Sequence, residues 1–183
     1  MPTFPPTLFR AFIGMGSNLA NSTGDSVAIL REAAQGLQEL SHHPIQLSSL
    51  YTSSPLGPQD QPDYYNAAAL ITTPLSPHAL LDQLHQLEQL AGRVRVRRWG
   101  ERTLDLDILL IDQGIEHPTY IQDERLSIPH IGILERSFVV QPLLELDADL
   151  IVGGTLLATS VMATCHEGIR TIHGADWAQR ASA

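Results

Sequence analysis

The chain has 183 residues, 43% of them hydrophobic, and carries 11 arginines, no lysine and 20 acidic residues for a net charge of −9. That length fits one domain with its own core, and the apolar content excludes a disordered chain. No apolar run approaches a membrane span or a signal-peptide stretch, and the single cysteine, Cys165, excludes an internal disulfide, so the reading is a cytoplasmic protein without a membrane partner. The charge is uneven. Arg93, Arg95, Arg97, Arg98 and Arg102 fall within ten residues that hold one acid, Glu101, so this window carries +4 and the remainder −13. An acidic chain with one compact basic patch suits a small, highly charged anion better than nucleic acid, which calls for charge spread over a face.

In chain order, Phe9 to Met15 reads as a strand running into a Gly16-Ser17-Asn18 turn. Val27, Leu30, Ala33, Ala34 and Leu37 recur at helical spacing between Asp25 and Leu40. Ile45 to Tyr51 alternates as a strand, and the proline-rich stretch Ser53 to Asp63 is a long loop of the kind that carries function. Tyr64 to Thr72 is the next strand. Ser76 as cap, Pro77 at the first turn and Gly92 at the stop frame a helix with a Leu80, Leu81, Leu84, Leu87 stripe. Thr103 to Ile111 follows as a strand whose long apolar run predicts a central place in the sheet. This β-α-β-β-α-β order predicts an α+β, ferredoxin-like fold, an antiparallel sheet with two helices on one face. Beyond it, helices are expected at Ile133 to Leu146, bent or ended by Pro142, and at Leu156 to Thr164. The whole chain is read as one domain, 1–183, with residues 169–183 a loosely held tail.

The chemistry concentrates in Asp105-Leu106-Asp107. Residues two apart in a strand point to one face, roughly 6.6–6.8 Å apart. Two carboxylates there repel each other unless neutralised, and hard oxygen ligands at that spacing suit magnesium. Arginines beside them suit phosphate, because the guanidinium fork donates in pairs and stays charged. Two solvated acids on an exposed sheet face, next to a solvating loop, are the competing reading of the same residues. A Walker A loop is excluded by the lack of lysine, and Leu19 stands where a dinucleotide fingerprint beginning at Gly14 needs a third glycine. A non-catalytic ligand-binding module and an RNA-binding module using Trp99 as a stacking platform are the rival classes; the net charge opposes the second.

Taken together the motifs are specific. Gly16-Ser17-Asn18, the run Pro55-Leu56-Gly57-Pro58-Gln59-Asp60-Gln61-Pro62-Asp63-Tyr64-Tyr65-Asn66-Ala67, Gly92-Arg93-Val94-Arg95, Arg98-Trp99-Gly100, Arg102 through Ile108, and Ile128-Pro129-His130 occur in this order. From about Phe12 to Leu150 the chain resembles the 6-hydroxymethyl-7,8-dihydropterin pyrophosphokinase family of folate biosynthesis. The resemblance implies transfer of the β,γ-diphosphate of ATP to the pterin hydroxymethyl group, with release of AMP. It implies two magnesium ions on Asp105 and Asp107, phosphate contacts from Arg93 and Arg102, and a closing loop bearing Arg98 and Trp99. The pterin would lie between Tyr64 and Phe138, read by Asn66 and by Ser53, Ser54 and Leu56, with Trp99 closing over it. The nucleotide side would include Glu88, Ile108, Arg125, Ser127, His130 and Arg136. Such an enzyme is expected to act as a monomer. This sequence departs from the family pattern in a shorter stretch from Arg95 to Trp99, in Ile131 where a tyrosine is common, and in Ser53-Ser54 for a threonine-proline pair.

Overall fold

The structure is a computed structural model, and it describes residues 7–93, 100–113 and 118–179. In chain order the elements are β1 (Phe9–Ser17), α1 (Ser26–Leu40), β2 (Gln46–Leu47), β3 (Leu50–Ser53), β4 (Tyr64–Thr73), α2 (Pro77–Leu90), β5 (Asp105–Asp112), β6 (Ile121–Gln122), β7 (Ser127–Ile128), α3 (Ser137–Leu146), β8 (Ile151–Val152), β9 (Thr155–Leu156), α4 (Val161–Thr164) and β10 (Ile169–His173). One six-stranded antiparallel sheet runs β10-β3-β4-β1-β5, with β2 also pairing β4. The expected α+β, ferredoxin-like core is present.

Period-two alternation along β1 divides the core. Ala11, Ile13 and Met15 face α1 and α2, whereas Phe12 joins Leu109, Leu110, Val140 and Leu143 on the opposite face, beneath α3. The Asp25 carboxylate accepts the Ala28 N–H at 2.9 Å to start α1, and Ser76 with Pro77 starts α2. The two helices meet at Gly36, where a β-carbon would stand 2.6 Å from Leu87 Cδ2.

Three expectations are corrected. The strand β5 is not central; it ends the sheet, and among the described strands it pairs only β1. Its apolar run reflects layers on both faces, and its outer edge is covered because the amides of Thr119 and His130 donate to the carbonyls of Ile111 and Leu109, each at 2.9 Å. The stretch Ile133 to Leu146 is broken at Arg136, whose extended backbone (φ −132°, ψ 110°) separates a 3-10 turn at Ile133–Glu135 from α3. Pro142 lies inside α3 and removes the amide that would bond the Phe138 carbonyl. The helix expected from Leu156 to Thr164 shrinks to a 3-10 turn at Leu157–Thr159 and the four residues of α4, separated by an extended Ser160.

The loosely held tail is also corrected, for residues 169–179; residues 180–183 lie outside the described residues. β10 pairs with β3, and Trp177 is fully buried. The cause lies in Ser48, which interrupts the strand expected from Ile45 to Tyr51. Its hydroxyl accepts the Ala68 amide at 2.8 Å in place of a backbone carbonyl, and the Trp177 indole N–H donates to the freed Ser48 carbonyl at 2.9 Å. The Arg31 guanidinium donates to the Trp177 carbonyl at 3.0 Å. Trp177→Ala is therefore expected to cost about 3–5 kcal/mol in urea unfolding; a change under about 1 kcal/mol would identify a dispensable tail. Among the described residues no helix is long and apolar enough to cross a membrane.

Candidate active site

On the α3 side of the sheet, two cross-strand rows run over the centre of β1. Asn66, Gly16 and Asp105 form one row, and Ala68, Gly14 and Asp107 the next. Glycine twice on the central strand leaves the middle of the rows without side chains. A β-carbon on Gly16 would sit 3.7 Å from Asn66 Oδ1 and 3.8 Å from Asp105 Cβ, and one on Gly14 would press on Leu109 at 3.3 Å. The result is a cavity of about 330 Å³. Ser53, Ser54 and Leu56 wall it on the β3 side, Tyr64, Asn66 and Ala68 from β4, and Asp105, Asp107 and Leu109 from β5. Arg102, His130, Ile131, Arg136, Phe138, Val139 and Pro142 complete the lining.

The carboxylates come from the start of β5, and the two arginines flanking them, Arg93 and Arg102, lie between α2 and β5. Arg93 pairs with both Glu88 and Asp105, the latter at 2.8 Å, and Arg102 pairs with the other oxygen of Asp105. Glu88, buried on α2, also accepts the Leu106 amide at 2.8 Å. Burial pushes its carboxyl up to about 7, against the pull of that amide and of Arg93. Asp107 is raised as well, by burial first and then by the Asp105 charge beside it. Burial and a neighbouring carboxylate together make charge costly at Asp107, a cost that a bound cation would relieve.

The raised Glu88 has a consequence for stability. Its folded-state pKa of about 7 exceeds the ordinary 4.5, so between these values the folded chain holds a proton that the unfolded chain has released. The contribution is complete below the lower value and lost as pH rises through the upper one. The urea midpoint is expected to fall between about pH 5 and pH 8, and Glu88→Gln should flatten that slope. An unchanged slope in the variant would assign it to another group.

The opposite wall is polar and rigid. The Asn66 amide donates to the Ser53 hydroxyl at 2.9 Å, and the Tyr64 hydroxyl donates to the Gly100 carbonyl at 2.8 Å. Phe138 enters from the first turn of α3. His130 Nδ1 accepts the Gly132 amide at 3.1 Å, so its neutral ring carries the proton on Nε2 as a remaining donor.

The structure thus gathers Ser53, Ser54, Leu56, Tyr64, Asn66, Arg102, Asp105, Asp107, His130, Arg136 and Phe138 around one cavity, with Arg93 and Glu88 bracing it from behind. Besides Glu88 and Arg93, three more described residues expected on the nucleotide side do not line it. Ile108 is in the core under the helices, Arg125 pairs with Asp82 on the surface, and the Ser127 hydroxyl donates to the Pro129 carbonyl at 3.3 Å. Arg98 and Trp99 lie outside the described residues. Asn18, in the Gly16-Ser17-Asn18 motif, has a role that the sequence alone does not reveal. The Asn18 amide donates to Gln61 Oε1 at 3.1 Å and the Pro62 carbonyl at 3.0 Å, and its Oδ1 accepts the Arg102 amide at 2.8 Å. One side chain thereby ties the proline-rich loop to the arginine segment.

The family model described as 7,8-dihydro-6-hydroxymethylpterin-pyrophosphokinase (HPPK) matches residues 12–148. A Haemophilus influenzae protein named 2-amino-4-hydroxy-6-hydroxymethyldihydropteridine pyrophosphokinase is 48% identical over 156 residues, covering 85% of this chain and 92% of its own. A Pseudomonas aeruginosa protein of the same name is 41% identical over 168 residues, covering 91% and 98%. Among solved structures, an HPPK-DHPS in complex with substrates has a TM-score of 0.61 at 14% identity; it matches 86% of this chain, which spans 43% of that longer one and shares the fold of its matched part. With the family model spanning most of the chain and near-full-length relatives above 40% identity, the chain belongs to the 7,8-dihydro-6-hydroxymethylpterin-pyrophosphokinase family.

Proposed function

We propose that this pyrophosphokinase transfers the β,γ-diphosphate of ATP to the hydroxymethyl group of 6-hydroxymethyl-7,8-dihydropterin, releases AMP, and depends on Mg2+ held by Asp105 and Asp107. One observation carries the reading: the two carboxylates share a cavity wall with Arg102 and face a polar, aromatic wall of Tyr64, Asn66 and Phe138. The donor set fits magnesium. Among the described residues no group of three or more His, Cys, Asp or Glu is arranged to hold a metal ion by itself, and Mg2+ is commonly held by one or two carboxylates plus substrate phosphates. When bound there, with two ions as the expected number, it would neutralise triphosphate charge and orient the donor for in-line attack.

The chain's own groups supply the rest. Asp105 and Asp107 provide hard oxygens on one face. Arg102 is placed to donate to a phosphate beside Asp105, and Arg93 keeps Asp105 oriented while anchored to Glu88. The Nε2–H of His130 and the guanidinium of Arg136 offer further donors along the same wall. Tyr64 and Phe138 would hold the flat heterocycle between them, and Asn66 with Ser53 and Ser54 would match its polar edge. For Arg98 and Trp99, on the stretch outside the described residues, the family resemblance supports a role in excluding water. Ile108, Arg125 and Ser127 would contact the nucleotide beyond the cavity proper. The single cysteine favours a cytoplasmic setting, and a monomer suffices because one chain furnishes every group named.

The test is AMP release from ATP, with the pterin and Mg2+ each supplied or withheld. AMP formation is expected only when both are present. Saturable ATP binding with no AMP under any condition would favour a non-catalytic binding module.

A further inference from the structure

One carboxylate outside the reaction joins the two walls between which the pterin would sit. Glu145 lies in the last turn of α3, and both its oxygens are engaged: the Tyr51 hydroxyl donates to Oε1, and the Ser49 amide donates to Oε2 at 2.8 Å. Tyr51 stands in β3, two residues before Ser53, so the two side chains share a sheet face, and it lies directly across from Asn66. At the helix end, Glu145 and Phe138 are seven residues apart, two turns along one helix face. The latch therefore links the strand that supplies Ser53 to the helix that supplies Phe138. Apart from it, α3 rests on the sheet through Val140 and Leu143, and the Arg10 guanidinium on β1 donates at 2.5 Å to Asp147 just past the helix end. Apolar contact resists separation but is non-directional and leaves sliding and rotation weakly opposed. Gln141 ties the far side of α3 to the Met162 and Ala163 carbonyls at 3.1 and 2.8 Å, away from the cavity. Burial first, and the Glu145 charge second, raise the Tyr51 hydroxyl well above its ordinary range, so it remains a donor throughout physiological pH.

We infer that Tyr51 and Glu145 are positioning residues for the pterin: their bond sets the width of the slot between Phe138 on α3 and Ser53 and Asn66 on the sheet. This rests on the reading of Phe138 as a pterin-facing wall. Neither residue lines the cavity, so their effect on binding passes through the spacing of the two elements. Asp105, Asp107, Arg93 and Arg102 lie on β5 and between α2 and β5, away from the latch, and of the groups named for the nucleotide only Arg136 sits at the start of α3.

Tyr51→Phe keeps the ring and removes the donor. The KM for the pterin is expected to rise about tenfold, with kcat and the KM for ATP within about twofold, since a charge-assisted bond that aligns a binding wall is lost. Glu145→Gln, which retains one acceptor, should fall between Tyr51→Phe and wild type. Direct titration of the pterin, followed by its own fluorescence, should give the same ranking. Phe138→Ala separates the two ways of failing. If it leaves the pterin KM unchanged, the reading of the cavity falls and the proposal with it. If Phe138→Ala raises that KM and neither latch variant does, the proposal alone is overturned. It is equally overturned if both substrates' KM values and kcat shift together in step with lost thermal stability, the signature of a merely structural bond.

Discussion

Asp107→Ala is expected to lower AMP release from ATP and the pterin by at least about 10³-fold, because preorganised charge at the transferring phosphoryl group is usually the largest single contribution to such catalysis. The same variant should fold as well as the parent or better. Asp107 is raised by burial and by the Asp105 charge, so in the ligand-free protein its ionised form costs stability. Removing it relieves that repulsion, and the urea midpoint near neutral pH should hold or rise. A carboxylate retained for the fold would behave oppositely, with lost stability and turnover limited only by the folded fraction. Near-normal AMP release by a stable variant would remove Asp107 from the metal site.

The two arginines on Asp105 are expected to separate by location. Arg93 has a side chain only 8% exposed and spans Glu88 and Asp105, whereas Arg102 is 32% exposed and pairs with Asp105. Arg93→Ala leaves a buried carboxylate without its cation, so it should lose about 3 kcal/mol of stability at pH 8, and less at lower pH where Glu88 takes up a proton. Arg102→Ala should change stability by less than about 1 kcal/mol, as for a solvent-screened pair, and still slow turnover by about 10²–10³-fold. Parallel urea titrations and steady-state assays distinguish the pair. Equal loss of stability in both variants would contradict the supporting role given to Arg93.

The residues proposed to carry the reaction were legible because their chemistry is local. Asp105-Leu106-Asp107 needs only the two-residue repeat of a strand to put both carboxylates on one face, and five arginines in ten residues need no fold to mark an anion site. Element order followed from periodicity and end signals, such as Asp25 before α1 and Ser76-Pro77 before α2. What failed were inferences from pattern to neighbourhood. An apolar run says that both faces are covered, not that both edges are, so β5 looked central while ending the sheet. The residues after Gly168 show little alternation and looked loose. They are held because Ser48 frees a carbonyl that Trp177 then takes.

By itself, then, the sequence determined the strand and helix order, the paired carboxylates with their arginines, and through the motifs the family. The tertiary structure alone decided that Gly14 and Gly16 form an open floor between Asp105 and Asp107 on one side and Asn66 and Ala68 on the other, that Asn18 couples two distant loops, and that Tyr51 meets Glu145. Periodicity and composition report what a residue does within a few positions along the chain. Strand register, and the hydrogen bonds that close between residues 94 or 84 positions apart, exist only once the chain has packed.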